Sequence, residues 1–292
     1  MRSKDCRGFA WGNRTYVMGI INITPDSFSG DGLLDAENVN RAAVDQAARF
    51  LQEGADILDI GGESTRPGAA LISAQEELSR VVPVIEEIRK NHPDALISVD
   101  TNKASVAREA LNVGADWVND VWGLRADPEM GAVVGAYRVP VVLMHNRSKA
   151  GSPEIEARLG GRYVGTDYDD LIGDICDDLM ESVHLAHHNG IADDCIILDP
   201  GIGFGKTVSQ NLELLDRLDQ IKALGYPLLV GPSRKSFIGY TLELPLDERI
   251  EGTAAAVALA IDRGADIIRV HDVRYMTRVA RMTDAIVRRN RR

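Results

Sequence analysis

The sequence predicts an α/β fold, a (β/α)8 TIM barrel, and three observations carry that expectation. First, the chain has 292 residues and is 45% hydrophobic, enough for one large core and in the size range of such barrels. Second, one joint is used three times. Gly54-Ala55-Asp56 precedes Ile-Leu-Asp-Ile, Gly114-Ala115-Asp116 precedes Trp-Val-Asn-Asp, and Gly264-Ala265-Asp266 precedes Ile-Ile-Arg-Val. Each reads as a helix closing on glycine, a short joint and a buried strand, so αβ units repeat. Third, short apolar runs alternate with helical patterns along the chain with no linker between them, so a single domain over 1–292 is expected. A doubly wound open sheet would need fewer strands or a divided chain.

The elements follow in order. Phe9-Ala10-Trp11 and Thr15-Tyr16-Val17 flank Gly12-Asn13, the signature of an N-terminal β-hairpin that would cover the barrel bottom. Strands are expected at 17–23, 57–60, 97–100, 117–120, 141–145, 196–199, 228–231 and 267–270. The run at 196–199 is typical: apolar throughout, as a strand buried on both faces must be, and stopped by Pro200 and Gly201. Helices are expected at 36–53, where Val39, Ala43, Ala47 and Phe50 recur at helical spacing, and at 74–90, 104–113, 128–137, 168–188, 208–224, 247–263 and 275–291. The glycine-rich, mixed-charge stretch 146–167 reads as a mobile insertion after the fifth strand.

The formal charge of −11 argues against a nucleic-acid or anionic-membrane surface, so an anionic ligand must be held by a local basic cluster. Three cysteines, Cys6, Cys176 and Cys195, form no CxxC pair, which suits a reducing compartment. No apolar run approaches the roughly 18 residues of a membrane span, and 1–15 lacks the core of a signal peptide. A cytoplasmic protein is expected.

Barrel chemistry sits at the C-terminal mouth of the strands. The strand tips read Asn22; Glu63-Ser64-Thr65-Arg66-Pro67; Asp100; Asn119; Met144-His145; Asp199; Ser233-Arg234-Lys235; and Arg269 with His271. Asp100, Asn119 and Asp199 suit a flat heterocycle with several N–H donors, since a carboxylate accepts from a ring N–H and an exocyclic amine together. Thr65, Arg66, Lys235, Arg269 and His271 suit phosphate or carboxylate groups. Ser233, before an expected helix start, is either an ordinary cap or part of an anion site. The segment 201–207 fits neither the Walker nor the dinucleotide spacing. His184, His187 and His188 read as a solvated helix face, not a metal site.

Seven segments together resemble dihydropteroate synthase: 19–29 (Gly-Ile-Ile-Asn-Ile-Thr-Pro-Asp-Ser-Phe-Ser), 61–68 (Gly-Gly-Glu-Ser-Thr-Arg-Pro-Gly), 98–101 (Ser-Val-Asp-Thr), Asn119-Asp120, 198–206 (Leu-Asp-Pro-Gly-Ile-Gly-Phe-Gly-Lys), 233–239 (Ser-Arg-Lys-Ser-Phe-Ile-Gly) and 269–272 (Arg-Val-His-Asp). Each alone is weak; seven in family order are specific. The resemblance implies a pterin-binding barrel and the folate-pathway step blocked by sulfonamides. There p-aminobenzoate is joined to the pterin of 6-hydroxymethyl-7,8-dihydropterin diphosphate, with release of pyrophosphate. It implies that Asp100, Asn119, Asp199 and Lys235 form the pterin pocket and that Asn22 contacts Mg²⁺ on the diphosphate. Thr65, Arg269 and His271 become ligand contacts, the last two near the diphosphate. Ser233 takes the p-aminobenzoate carboxylate, while Phe28, Arg66 and Pro67, with Phe204, complete that second pocket from mobile loops. The cationic residues Arg66, Lys235 and Arg269, with His271, are those expected to act on the chemistry. A homodimer is expected by family analogy.

Two departures from the family pattern stand out. The first loop reads Ser-Gly-Asp-Gly at 29–32, so Asp31 receives no role, and the segment after His145 is off-pattern. The rival readings are a pterin-binding methyl-transfer barrel, disfavoured by Arg66, 233–235 and the Arg-x-His tip, and a catalytically silent pterin-binding paralogue.

Overall fold

Side-chain alternation along the strands decides the architecture. In Ile57–Gly61, Leu58 and Ile60 pack outward with helical side chains, while Ile57 joins an inner cluster with Met18, Trp117, Val142, Ile197, Leu229 and Ile267. Strands covered on one face by helices and on the other by one another's side chains close into a barrel. The structure, a computed structural model, describes residues 9–24, 36–64, 71–148, 153–156, 158–163 and 167–289.

The parallel strands are β1 (Tyr16–Asn22), β2 (Ile57–Gly61), β3 (Leu96–Asp100), β4 (Trp117–Asp120), β5 (Val141–Met144), β8 (Ile196–Asp199), β9 (Leu229–Val230) and β10 (Ile267–Val270). They form one eight-stranded sheet in the order β8-β5-β4-β3-β2-β1-β10-β9. A parallel bridge from Leu198 to Leu228, with Leu198 N–H donating to Pro227 O at 2.9 Å, joins its two ends. The expected TIM barrel is thus present.

The repeated Gly-Ala-Asp joint has a physical reason. Each aspartate caps the neighbouring strand: Asp56 accepts from Val17 N–H at 2.9 Å, Asp116 from Ile97 N–H at 3.0 Å, and Asp266 from Leu228 N–H at 2.9 Å. Each is also paired with a cation, Arg14, Arg89 and Lys222 respectively. The glycines take φ of +99°, +116° and +106°, where a side chain would be strained.

The helices are α1 (Ala36–Glu53), α2 (Ala74–Asn91), α3 (Ala104–Asn112), α4 (Met130–Tyr137), α5 (Leu171–His188), α6 (Val208–Asp216), α7 (Leu218–Lys222), α8 (Ser236–Leu242), α9 (Ile250–Asp262) and α10 (Val273–Val287). Several expectations need correction. The helix expected at 208–224 is two, broken at Arg217, whose φ and ψ of −103° and 22° leave the helical region. The helix start expected after 233–235 is α8, a short helix of its own, and a 3₁₀ turn at Leu246–Glu248 stands where the 247–263 helix was expected to begin. The Gly12-Asn13 turn forms, with Asn13 N–H donating to Ala10 O at 3.1 Å, but residues 9–15 carry no ladder. Phe9 and Trp11 instead stack at 4.8 Å and pack on Tyr16, covering the bottom with aromatic rings. The insertion is not shapeless: β6 (Pro153–Glu156) and β7 (Gly160–Tyr163) pair antiparallel, and Tyr240 Oη and Arg249 Nη2 donate to Gly160 O and Leu159 O.

Candidate active site

The inward face of four strands turns from apolar to polar on the way to the mouth. Ile57 gives way to Asp59, Trp117 to Asn119, Ile197 to Asp199 and Ile267 to Arg269, each two residues on and therefore on the same face. Asp100 ends β3 and Asn22 ends β1, in register with Gly61 between them. Gly61 leaves room there: a Cβ on it would lie 3.6 Å from Asp100 Oδ2 and 3.7 Å from Asn22 Oδ1.

Arg269 lies between two carboxylates, its Nε donating to Asp59 Oδ2 at 2.6 Å and its Nη2 to Asp100 Oδ2 at 2.5 Å. Asn119 Nδ2 donates to the same Asp59 oxygen at 3.0 Å. Asp199 Oδ1 accepts from Gly201 N–H at 2.7 Å. Lys235 reaches the loop after the adjoining β8, donates to Ile202 O and stands 4.4 Å above the Phe204 ring. Ser233 Oγ accepts from His271 N–H and lies 3.1 Å from His271 Nδ1. Ser233 is not a helix cap, because α8 begins at Ser236.

Burial dominates the electrostatics. It pushes the Asp100 carboxyl up to about 7, against the pull of Arg269 and with help from Asp59. It raises Asp199 too, opposed by Lys235 and by the Gly201 N–H. It brings Lys235 down to about 8, opposed by Asp199 and reinforced by Arg269. Arg269 stays cationic: burial disfavours its charge, but Asp59 and Asp100 more than offset that.

Thus Asn22, Asp100, Asn119, Asp199, Phe204, Ser233, Lys235, Arg269 and His271, scattered over 250 positions, all stand at the ends of strands or in the loops after them. Thr65, Arg66, Pro67 and Phe28 lie outside the described residues, as does Asp31. Sequence reasoning missed two features. Asp59, wholly buried, lies inside the barrel; its signal was a carboxylate on the inward face of a buried run. Lys206, only 2% exposed, places its Nζ 2.9 Å from His145 Nδ1 and donates to Gly201 O and Phe204 O, tying the glycine-rich loop to β5. Burial, reinforced by Lys206, drives His145 down to about 4, so its ring is neutral.

The pterin binding enzyme family matches residues 18–271, from the first strand to His271 at the last tip. A dihydropteroate synthase of Clostridium beijerinckii is 49% identical over 96% of this chain and 97% of its own. The chain belongs to the dihydropteroate synthase family. Among solved members, the Clostridium difficile enzyme, determined in the presence of pteroic acid, superposes with a TM-score of 0.87 at 47% identity, covering 96% of this chain and 99% of that one. The Xanthomonas albilineans enzyme with 4-aminobenzoic acid gives 0.83 at 41% identity over 94% and 93%. The family match runs from the first strand to the tip of the last and so takes in the rim described above. Among the described residues no helix is long and apolar enough to cross a membrane, and no three His, Cys, Asp or Glu side chains are grouped to hold a metal.

Proposed function

We propose that this chain condenses 6-hydroxymethyl-7,8-dihydropterin diphosphate with p-aminobenzoate, giving 7,8-dihydropteroate and pyrophosphate. The observation that carries the proposal is the division of one barrel mouth into two chemistries: Asp100, Asn119 and Asp199 to accept from a flat heterocycle, and Lys235, Arg269 and His271 to receive an anion. An arylamine is a weak nucleophile, so the task falls on departure of the diphosphate from the methylene carbon. That C–O bond breaks, the C–N bond forms, and the nitrogen loses a proton. Asp100 and Asp199 hold the pterin and favour the positive charge that grows on it as the bond loosens, while Arg269 and His271 face the departing anion. Ser233, held by the His271 N–H, takes the p-aminobenzoate carboxylate in a pocket completed by Phe28, Arg66, Pro67 and Phe204, and Thr65 is a further ligand contact.

The rim also fits Mg²⁺ carried on the diphosphate. Asn22 Oδ1 is a hard oxygen ligand facing the space above Gly61 beside Asp100, and such an ion needs few protein ligands when phosphate oxygens supply the rest. When bound, the ion would neutralise charge on the leaving diphosphate. The enzyme is further proposed to be a cytoplasmic homodimer that binds no nucleic acid or membrane. In support of the dimer, α10 exposes Tyr275, Met282 and Ile286 on one face.

Mixing the two substrates with Mg²⁺ should release one pyrophosphate per dihydropteroate formed, and Asp199→Asn should lower turnover by roughly 100-fold or more. No release by the native protein, or full turnover in Asp199→Asn, would refute the proposal. It would return the chain to the silent pterin-binding reading.

A further inference from the structure

Asp59 is wholly buried, and neither of its partners is on a neighbouring strand. From β2 it reaches Asn119 two strands away on β4 and Arg269 two strands away on β10, both through the single oxygen Oδ2. Its other oxygen, Oδ1, is buried and has no hydrogen-bond partner among the described residues. A carboxylate kept for stability alone is a poor bargain in that state, because desolvation cancels much of what a buried ion pair contributes.

Its geometry makes sense in relation to Asp100. Arg269 holds both carboxylates at once, but only Asp100 stands at the last residue of its strand, where a ligand can reach it. A pterin that donates N–H groups to both oxygens of Asp100 competes with the Arg269 Nη2 for Oδ2 of that carboxylate. The guanidinium can give it up because Nε keeps Asp59. Without Asp59, Asp100 would be the nearest counter-ion left to a buried guanidinium and would be held against the ligand. The Asn119 amide would also lose the acceptor that fixes which way it faces.

We propose that Asp59 is a positioning residue: it is the permanent counter-ion of Arg269 and the anchor of the Asn119 amide, and so frees Asp100 to bind the pterin. This rests on the function proposed above and adds a residue to it that touches no substrate. The effect falls on the pterin side, because the residues Asp59 holds, Asn119 and Arg269, are there, whereas Ser233 is bonded to His271 and Phe204 lies under Lys235.

The test is steady-state kinetics of Asp59→Asn with each substrate varied in turn, beside the native enzyme and with unfolding midpoints for both. The expected result is a KM for the pterin diphosphate raised roughly tenfold or more, with that for p-aminobenzoate changed less than about threefold. Should Asp59→Asn not fold, Asp59→Glu keeps the charge, displaces it by one methylene and should show the same split. Equal changes in both KM values, or a lower unfolding midpoint with both unchanged, would overturn the inference and leave Asp59 a structural residue. A native protein that releases no pyrophosphate would instead overturn the reading on which it rests, and the inference with it.

Discussion

Asp100 and Lys235 face each other across the mouth with proton affinities moved in opposite directions by the same burial. Asp100 must be ionised to accept from the pterin ring, and its carboxyl, raised to about 7, gains its proton as the pH falls through that value. Lys235 must be charged, and its ammonium, lowered to about 8, loses its proton as the pH rises through that value. The productive form therefore exists in a narrow window. The ratio kcat/KM for the pterin diphosphate should rise between about pH 6 and 7 and fall again above about 8, since that ratio reports the free enzyme. A profile flat from about pH 6 to 9 would mean that neither group titrates as its surroundings dictate. The acid and the base were both legible in the sequence as strand-tip residues, because position at a tip depends only on where an apolar run stops. Their shifted affinities were not, because these come from burial in the closed barrel and from groups 20 to 169 positions away, Asp199 and Arg269 among them.

At the scale of the element, the turn after β8 shows what the glycines are for. Gly201 takes φ of +70°, and a Cβ on it would sit 1.9 Å from the His145 carbonyl oxygen at the end of β5. Gly201→Ala therefore meets two penalties, a strained backbone and a collision with main chain that cannot swing aside. A loss of about 3 kcal/mol is expected, a fall in Tm of roughly 6–12 °C for a chain of this size. Calorimetry showing no change would mean that the loop moves freely away from β5. The alternating glycines pointed to a turn in the sequence, but not to the strand it leans on. Elements were likewise legible where periodicity or the Gly-Ala-Asp joint marked them, and illegible where the cause was distant. The break at Arg217 falls within a continuous apolar pattern. The β6–β7 pair is settled against Tyr240 and Arg249, whose positions only the closed barrel brings near. Asp59 was passed over for the same reason: its partners lie 60 and 210 positions along the chain.

At the scale of the molecule, closure of the barrel gathers the chemistry at one end and leaves the helices as its outer wall. Most of that wall is polar, but α10 is different. Tyr275, Met282 and Ile286 recur at intervals of seven and four residues, which places them on one helical face, and they are 54%, 64% and 57% exposed. Scattered exposed apolar residues need no explanation; three on one stripe, on a helix whose other face is already packed against α9 and α1, form a surface suited to a second copy. A two-fold axis would set the stripe against itself, so one change alters the interface twice. The double variant Met282→Glu with Ile286→Glu puts like charges into the centre of that contact. It should sediment as a monomer where the native protein sediments as a dimer. Met282 and Ile286 lie in the half of α10 remote from the mouth, so the variant tests assembly without touching the rim residues. A native monomer, or a variant that still pairs, would show that the α10 stripe is not the dimer surface.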